Sequence, residues 1–383
     1  MHDADFKIEL KCLELQVRKM VRADLTVVFD QLLVQMQEAG QLGDSKAMYA
    51  AVTRLGGKRH KRATPHRPTP ILKKPDGAYA QSFCEQQQIW MDQFSAIEAG
   101  ILVYPDLVQE ITTNDPMPID TQQTSCFPTA WQIQSAVAQL KRGKTPGPNQ
   151  LTPSVLKAAG PVFAKQFVVL AAKAASQASE PFDWRGGRLA PLHKGKGPAN
   201  DPQSYRSIFI SNYTGKLYHR VIRTQLEAIW EAKINALQLG SRKGLGTDLT
   251  HHLLEAHQAA CYAGKAPTAI VFFDMRSAFY SVLRQSLGQL PQDPTALIHA
   301  LKRLGVASSE IEQWLAATSN DNATEGAPPH LQHLVRDTMS HTFFQVNHLP
   351  QLCCTTRGTR PGDPLGDLLF NMIMRLIMED CKA

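Results

Sequence analysis

The stretch from Ala269 to Val282, A-I-V-F-F-D-M-R-S-A-F-Y-S-V, constrains the fold of this chain more than any other. Its first residues, Ala269 to Phe273, are apolar and rich in β-branched and aromatic side chains, which predicts a short buried strand. The strand would end at Asp274, and Ala278-Phe279 would begin a helical turn. A strand fixes the backbone, so that a carboxylate at its end can hold a hard cation such as Mg²⁺. An acidic residue after a strand is also a common helix N-cap, and the stretch alone leaves both interpretations open.

The composition limits the class of protein. A chain of 383 residues has room for two or three domains, and 43% hydrophobic with 20% charged residues is ordinary for a soluble protein. No apolar run approaches the ~20 residues of a membrane span, and the first residues show no signal-peptide pattern. The seven cysteines form no C-x-x-C pair. We therefore expect no membrane partner and a location in the nucleus or cytoplasm.

The net charge of +7 is unevenly distributed, and nearly all of the surplus lies in residues 1–75. Basic segments of this kind commonly contact nucleic-acid phosphates, although a solvated surface has the same composition. The candidate nucleic-acid contacts are Lys58, Arg59, Lys61, Arg62, Lys141, Arg142, Lys144 and Lys196.

Apolar residues at three- and four-residue steps predict a mainly helical chain. The predicted helices cover about residues 6–39, 45–55, 78–99, 129–140, 153–159, 162–176, 214–233, 251–262, 295–304, 308–319, 331–340 and 364–379. Residues 187–193 and 204–210 have strand character and would form a hairpin around a basic tip. Residues 101–128 are expected to be an irregular connection.

Four landmarks occur in order along the chain. They are K-T-P-G-P-N at 144–149, the pair L-A-P-L-H-K and Y-R-S-I-F-I across 189–210 followed by G-S-R-K-G-L-G-T at 240–247, F-F-D-M-R-S-A-F-Y-S-V at 272–282, and G-T-R-P-G-D-P-L-G-D-L-L-F-N at 358–371. Together they resemble the reverse transcriptases of non-LTR (LINE-type) retrotransposons. The resemblance implies an α+β fold, with the fingers and a partial palm of a right-hand polymerase behind a helical N-terminal region. It also implies an RNA template, a DNA primer and dNTPs as partners.

The same resemblance implies a division of the chain. The expected parts are a helical basic N-terminal region at residues 1–57, a basic proline-rich linker at 58–77, a helical connector at 78–125, the fingers at 126–265 and a partial palm at 266–383.

The third landmark implies the catalytic residue. Nucleotide addition uses two Mg²⁺ ions, which activate the primer hydroxyl and neutralise the leaving pyrophosphate. By resemblance, Asp274 is the first metal-bridging carboxylate, and the backbone carbonyl of Met275 is an extra metal ligand. Phe279 matches the aromatic steric gate, whose ring would clash with a 2′-hydroxyl. A plain core phenylalanine is the alternative for Phe279.

The other landmarks imply nucleotide contacts. Arg206 matches the fingers arginine, whose planar fork suits a triphosphate. Lys194 matches the fingertip lysine, with a solvated lysine as the alternative. Gly362 and Asp363 would shape a turn against the templating base pair. Asn371 would bond the template or the nucleotide, and a capping or core polar role is equally compatible with its place on a helix.

The sequence also departs from the family pattern. Pro361 stands where glutamine is common, and Tyr280 stands where a second aspartate is frequent. The Tyr/Phe-Ala-Asp-Asp hairpin, which supplies the other metal carboxylates, does not occur in the 383 residues. Glu379-Asp380 is no substitute, because it would end a helix. We therefore expect a truncated reverse transcriptase with an incomplete Mg²⁺ site, which is inactive alone in primer extension.

Two rival hypotheses belong to other classes. A decayed or domesticated retroelement fragment would bind RNA without catalysis, with salt-dependent affinity that is indifferent to Asp274→Ala. The polymerase hypothesis predicts instead that Asp274→Ala removes Mg²⁺-dependent dNTP binding. A non-functional translation product would fold poorly, because part of the palm sheet is absent and leaves an edge unpaired.

Overall fold

The computed structural model describes residues 2–55, 70–106, 108, 126–242, 244–275, 277–282, 284–287, 298, 302, 306–313, 315 and 322–380. They form two compact units, the first comprising Met1–Pro68 and Leu239–Ala269 and the second Thr69–Gln238 and Ile270–Ala383. The described helices are α1 (His2–Gln41), α2 (Ser45–Leu55), α3 (Phe83–Glu98), α4 (Ala130–Ala138), α5 (Pro153–Gln177), α6 (Phe182–Arg185), α7 (Tyr213–Lys233), α8 (Thr247–Ala263), α9 (Ala278–Ser281), α10 (Pro329–Met339) and α11 (Gly366–Asp380). The described strands are β1 (Gly100–Val103), β2 (Gly186–His193), β3 (Tyr205–Ser211), β4 (Phe343–Gln345) and β5 (Leu352–Thr355).

The first unit is helical, as its periodicity predicts. Helices α1 and α2 pack against each other, and the Asp44 carboxylate accepts the Ala47 N–H at 2.9 Å to cap α2. Much of the apolar face of α1 is open, with Leu13, Val17 and Val28 all about half exposed.

The second unit contains a single described sheet of strand order β1-β5-β4-β2-β3. Strands β2 and β3 form the predicted antiparallel hairpin, whose register runs from Gly187 opposite Ser211 to His193 opposite Tyr205. β4 pairs with β2 in parallel, and β5 joins β4 and β1 in antiparallel fashion. The expectation of an irregular segment from residue 101 is wrong at β1. Strands of three or four residues, such as β1, β4 and β5, are too short to carry a recognisable period. The fold class is α+β, as expected.

The main core lies among the helices of the second unit. Helices α4, α5, α7, α10 and α11 supply most of it. Helix α5 contains a kink at Gly160-Pro161, where the sequence predicts two helices. By length and composition alone, α5 is the one described helix that could cross a membrane. Its Ala171 and Ala175 are fully buried in the core, whereas Val162 and Val169 are 72% and 69% exposed.

The predicted strand at Ala269–Phe273 is wrong. Residues 266–275 form neither strand nor helix, and the side chains of Phe272 and Phe273 are 82% and 91% exposed. β-Propensity describes how a side chain fits a pleated surface, and a strand forms only where a neighbouring backbone supplies the ladder. In the described sheet, β3 pairs only with β2 and β1 only with β5, so neither edge pairs with this segment.

The described end of the predicted linker is packed, which the sequence did not indicate. Leu72 is fully buried against Trp90, Met91 and Phe94. The Lys73 N–H donates to the Asn200 carbonyl at 2.8 Å, so this segment also braces the loop at the hairpin tip.

Candidate functional site

The β2–β3 hairpin places two of the predicted nucleotide contacts. Lys194 follows β2 at the hairpin tip, and its Nζ donates to the Gln203 carbonyl at 2.7 Å. Arg206 lies on β3 opposite Leu192, with an exposed side chain. Lys196 is exposed at the same tip. The hairpin therefore presents three exposed cationic side chains, those of Lys194, Lys196 and Arg206.

The 277–282 segment lies against this hairpin. The Tyr280 hydroxyl is 2.6 Å from the Ser207 hydroxyl and also donates to the Ser207 carbonyl at 3.2 Å. Burial raises the pKa of Tyr280, and the nearby Arg206 guanidinium acts in the opposite direction. Tyr280, which departs from the family pattern, thus ties the segment to β3 beside Arg206.

The turn at residues 357–363 holds the same segment from another side. The Thr359 N–H donates to the Phe279 carbonyl at 2.8 Å, and the Gly358 N–H donates to the Val282 carbonyl at 2.8 Å. The Phe279 ring, half-buried, lies 4.8 Å from that of Phe370 between centroids.

Gly362 fits this turn closely against the hairpin. Its φ is +106°, and a Cβ atom there would lie 2.9 Å from the Phe209 carbonyl oxygen on β3. Only glycine suits both the backbone conformation and the close approach. The structure therefore brings the hairpin, the 277–282 segment and the 357–363 turn together in what we call the landmark cluster.

The K-T-P-G-P-N loop lies at the base of the hairpin. A Cβ atom on Gly147 would be 2.6 Å from Asn212 Cα, and the Asn149 N–H donates to the Asn212 side-chain oxygen at 3.0 Å. The basic residues before this contact, Lys141, Arg142 and Lys144, are all exposed.

A buried charge network that the sequence did not reveal supports the cluster. The His219 ring lies between the carboxylates of Asp363, at 2.6 Å, and Glu180, at 2.7 Å. Burial alone would lower the pKa of His219, but the two carboxylates outweigh it and raise the pKa to about 9. Burial opposes ionisation of Asp363, yet His219 and Arg360 lower its pKa to about 2. The carboxylate of Asp363 thus pairs with the His219 ring and accepts a hydrogen bond from the Leu365 N–H.

A second buried ion pair continues this network. The Asp337 carboxylate accepts from Arg185 Nη2 at 2.6 Å and from the Glu180 N–H at 2.7 Å. Burial would lower the pKa of Arg185, and the charges of Asp337 and Glu180 raise it instead.

The metal-binding part of the prediction finds no matching geometry in the described residues. The side chains of Asp274 and Met275 are exposed, and no group of three or more His, Cys, Asp or Glu residues that could hold a metal occurs in the described part of the chain. One exposed carboxylate does not fit a two-ion Mg²⁺ site.

Two other predictions fall elsewhere. Asn371 is buried on α11, where its backbone carbonyl accepts from Gln238 Nε2 at 2.7 Å. Lys58, Arg59, Lys61 and Arg62 lie outside the described residues.

Comparison with known proteins agrees with the landmarks. Over 159 residues, 41% of this chain and 17% of the relative, the chain is 30% identical to a protein described as a probable RNA-directed DNA polymerase from transposon BS of Drosophila melanogaster. It is 25% identical over 194 residues, 51% of this chain and 23% of the relative, to a retrovirus-related Pol polyprotein from the type-1 retrotransposable element R2 of Popillia japonica.

A third relative, a probable RNA-directed DNA polymerase from transposon X-element of Drosophila melanogaster, is 26% identical over 151 residues, 39% of this chain and 16% of the relative. The chain therefore spans about a fifth of the length of the relatives it matches. No family model matches. Within the matched region, the chain contains a domain related to the reverse transcriptases of non-LTR retrotransposons.

Proposed function

We propose that residues 1–383 provide the nucleotide- and template-binding part of a retrotransposon reverse transcriptase, comprising the fingers and part of the palm. In the complete domain this part would serve RNA-templated DNA synthesis. The observation that supports the proposal best is the landmark cluster itself. Segments that lie more than 60 residues apart in sequence meet through the contact of Tyr280 with Ser207 and the bond from the Thr359 N–H to the Phe279 carbonyl.

Arg206 and Lys194 are the proposed triphosphate contacts. Arg206 is exposed on a strand whose backbone is fixed by its ladder, so its guanidinium is presented from a rigid support. A planar fork of donors matches phosphate oxygens in pairs, which the compact ammonium group of a lysine cannot do. We therefore assign the larger share of triphosphate affinity to Arg206.

Phe279 is the proposed sugar gate. Its ring is half-buried against Phe370, and its carbonyl is fixed by Thr359. A ring held in this way has little freedom to move. It would exclude ribonucleotides, because it would clash with their 2′-hydroxyl. Gly362 would let the backbone of the turn approach the base pair, while Asp363 maintains the turn through His219.

Nucleic-acid backbones are the proposed partners of the exposed basic residues. These are Lys141, Arg142, Lys144 and Lys196, and by composition Lys58, Arg59, Lys61 and Arg62. A template strand held by such contacts loses affinity as the salt concentration rises. Asn371 remains a proposed template or nucleotide contact.

Asp274, with the Met275 carbonyl, is the proposed metal-bridging group of a complete domain. In residues 1–383 it has no described carboxylate partner, and the sequence has no Tyr/Phe-Ala-Asp-Asp motif. A single carboxylate binds Mg²⁺ weakly, because this ion keeps its waters unless several ligands replace them. We propose that this polypeptide holds the nucleotide and does not join it to a primer.

The test uses a DNA primer annealed to an RNA template, in Mg²⁺. With a dideoxy-terminated primer, the next complementary dNTP should increase retention of the primer–template on the protein, and a mismatched dNTP is the matched control. With an ordinary primer, we expect no extension. Retention of the primer–template that does not depend on the dNTP would contradict the proposed function and would indicate an RNA-binding module. Robust extension that is lost in Asp274→Ala would contradict the incomplete metal site alone.

A further inference from the structure

The carboxyl end of helix α3 meets the turn of the landmark cluster. Arg357 donates from Nε to the Ile97 carbonyl at 3.1 Å, and from Nη2 to the Ile97 and Ala96 carbonyls at 2.7 and 3.2 Å. The last carbonyls of a helix have no partner within it, and a cation at this end also meets the negative end of the helix dipole. Arg357 therefore caps α3 through Nε and Nη2 of its guanidinium group.

The residues that follow Arg357 hold the proposed sugar gate. Gly358 and Thr359 donate their N–H groups to the carbonyls of Val282 and Phe279. A Cβ atom on Gly358 would lie 3.2 Å from both the Phe279 carbonyl oxygen and Tyr280 Cα, so the two backbones are in close contact. A shift at Arg357 is thus passed on within one or two residues to the backbone of Phe279.

The turn is fixed from its other face by a buried arginine. Arg284 donates to the carbonyls of Gly358 at 3.0 Å, Arg357 at 3.1 Å and Thr355 at 2.8 Å. The hydrogen bonds of Arg284 and the contact of Arg357 with α3 therefore both restrain the backbone of the turn.

Glu98 adds a charge at the same junction. It is the last residue of α3, directly after Ile97, and is 8% exposed, and the charges of Arg284, Arg357 and Arg360 act on it. Burial raises the pKa of Glu98 to about 7, although the three arginines oppose this. The side chain is therefore costly to keep ionised, and a costly buried charge beside a binding cluster is a candidate for a functional role. Its burial next to Ile97, whose carbonyl binds Arg357, places the Glu98 carboxyl at the junction between α3 and the turn.

We propose that the carboxyl end of α3, through Arg357 and Glu98, positions the sugar gate at Phe279 and so sets the preference for deoxyribonucleotides over ribonucleotides. The inference rests on the proposed function. Arg357 and Glu98 are positioning residues in it, since they act through the turn and do not touch the nucleotide. The chain segment that precedes the landmarks would thus take part in substrate selection.

The experiment compares the concentrations of dGTP and of GTP that retain a dideoxy-terminated DNA primer on an RNA template with a templating cytosine. We expect the preference for dGTP to fall roughly threefold to tenfold in Arg357→Ala, because a displaced gate no longer clashes with the 2′-hydroxyl. Arg357→Lys should restore part of it. Glu98→Gln keeps the shape and removes the charge, and it should also lower the preference.

Lys74→Ala is the matched control, because it breaks the ion pair with Glu85 near the amino end of α3. It should leave the preference unchanged. A preference retained in both Arg357→Ala and Glu98→Gln would overturn the inference while leaving the proposed function intact. A wild-type protein that shows no dGTP dependence would overturn both. If circular dichroism shows that Arg357→Ala does not fold, the preferences of Arg357→Lys and Glu98→Gln test the inference instead.

Discussion

Residues 269–275 and residues 277–282 belong to one continuous motif, yet their surroundings differ. The second part is bonded to the hairpin and to the 357–363 turn, whereas the first is exposed and belongs to no described strand. The residues proposed to recognise the sugar and the triphosphate are therefore assembled by packing within this unit. The carboxylate of Asp274, which is proposed to hold the metal, has no such packing around it. The comparison teaches that the residues proposed for nucleotide recognition and the carboxylate proposed for the metal have different structural surroundings.

The largest expected difference is in stability, between the buried charge network that supports the landmark cluster and the exposed residues around Asp274. His219→Ala would leave the carboxylates of Glu180 and Asp363 buried without their shared partner, so the free energy of unfolding should fall by about 3–5 kcal/mol. Asp274→Ala, at an exposed position, should change it by no more than about 0.5 kcal/mol. Urea denaturation followed by tryptophan fluorescence measures both. Equal effects of the two variants would remove the distinction between the regions.

The same network should make stability depend on pH. The folded-state pKa of His219, about 9, lies above its ordinary 6.5, so its contribution is complete below pH 6.5 and is lost as the pH rises through 9. Asp363, with a pKa of about 2, loses its contribution only in strong acid. We expect up to about 3 kcal/mol of unfolding free energy to disappear between pH 6.5 and 9. Denaturation at several pH values checks this, and the same loss in His219→Ala would contradict the assignment to His219.

Alanine substitution at two glycines with positive φ distinguishes the cost of backbone strain from the cost of a steric clash. An alanine at Gly362 would be strained and would meet the Phe209 carbonyl, whereas an alanine at Gly195 would be strained in open space. We expect Gly362→Ala to lower the free energy of unfolding by about 1–3 kcal/mol more than Gly195→Ala. It should also weaken dNTP-dependent retention of the primer–template. If thermal melting shows equal costs, the turn does not pack on the hairpin as described.

The smallest expected effect is that of the bond between the hairpin and the 277–282 segment. Tyr280→Phe removes the hydroxyl that contacts Ser207 and keeps the ring. The expected cost is about 1 kcal/mol, the net value of an ordinary hydrogen bond. A double-mutant cycle with Ser207→Ala measures the coupling directly, and additive effects would mean that the contact contributes nothing.

The helices and the hairpin could be predicted from the sequence because their patterns are local. The period of α7 and the strand pair on either side of Lys194 are examples. The strand at Ala269–Phe273 could not be judged in this way, because pairing with a distant strand is not encoded in the residues that would pair. The order of the landmarks correctly indicated the family.

The buried charge network around His219 could not be predicted from the sequence, for a related reason. His219 lies on an amphipathic helix among residues that predict core packing, and its partners are 39 and 144 residues away in sequence. Nothing in its neighbourhood marks it as charged. The role predicted for Asp363 was based on its motif, and the structure adds that its side chain holds His219.

The most direct test of the account is the dependence of dNTP binding on Arg206. In the dideoxy-terminated primer–template assay, Arg206→Ala should raise the required dNTP concentration at least tenfold, which is about 1.4 kcal/mol and within the usual contribution of a hydrogen bond to a charged group. Arg188→Ala, on the neighbouring strand β2, is the matched control and should have little effect. Equal dNTP dependence in the wild-type protein and in Arg206→Ala would contradict the claim that the landmark cluster binds the nucleotide.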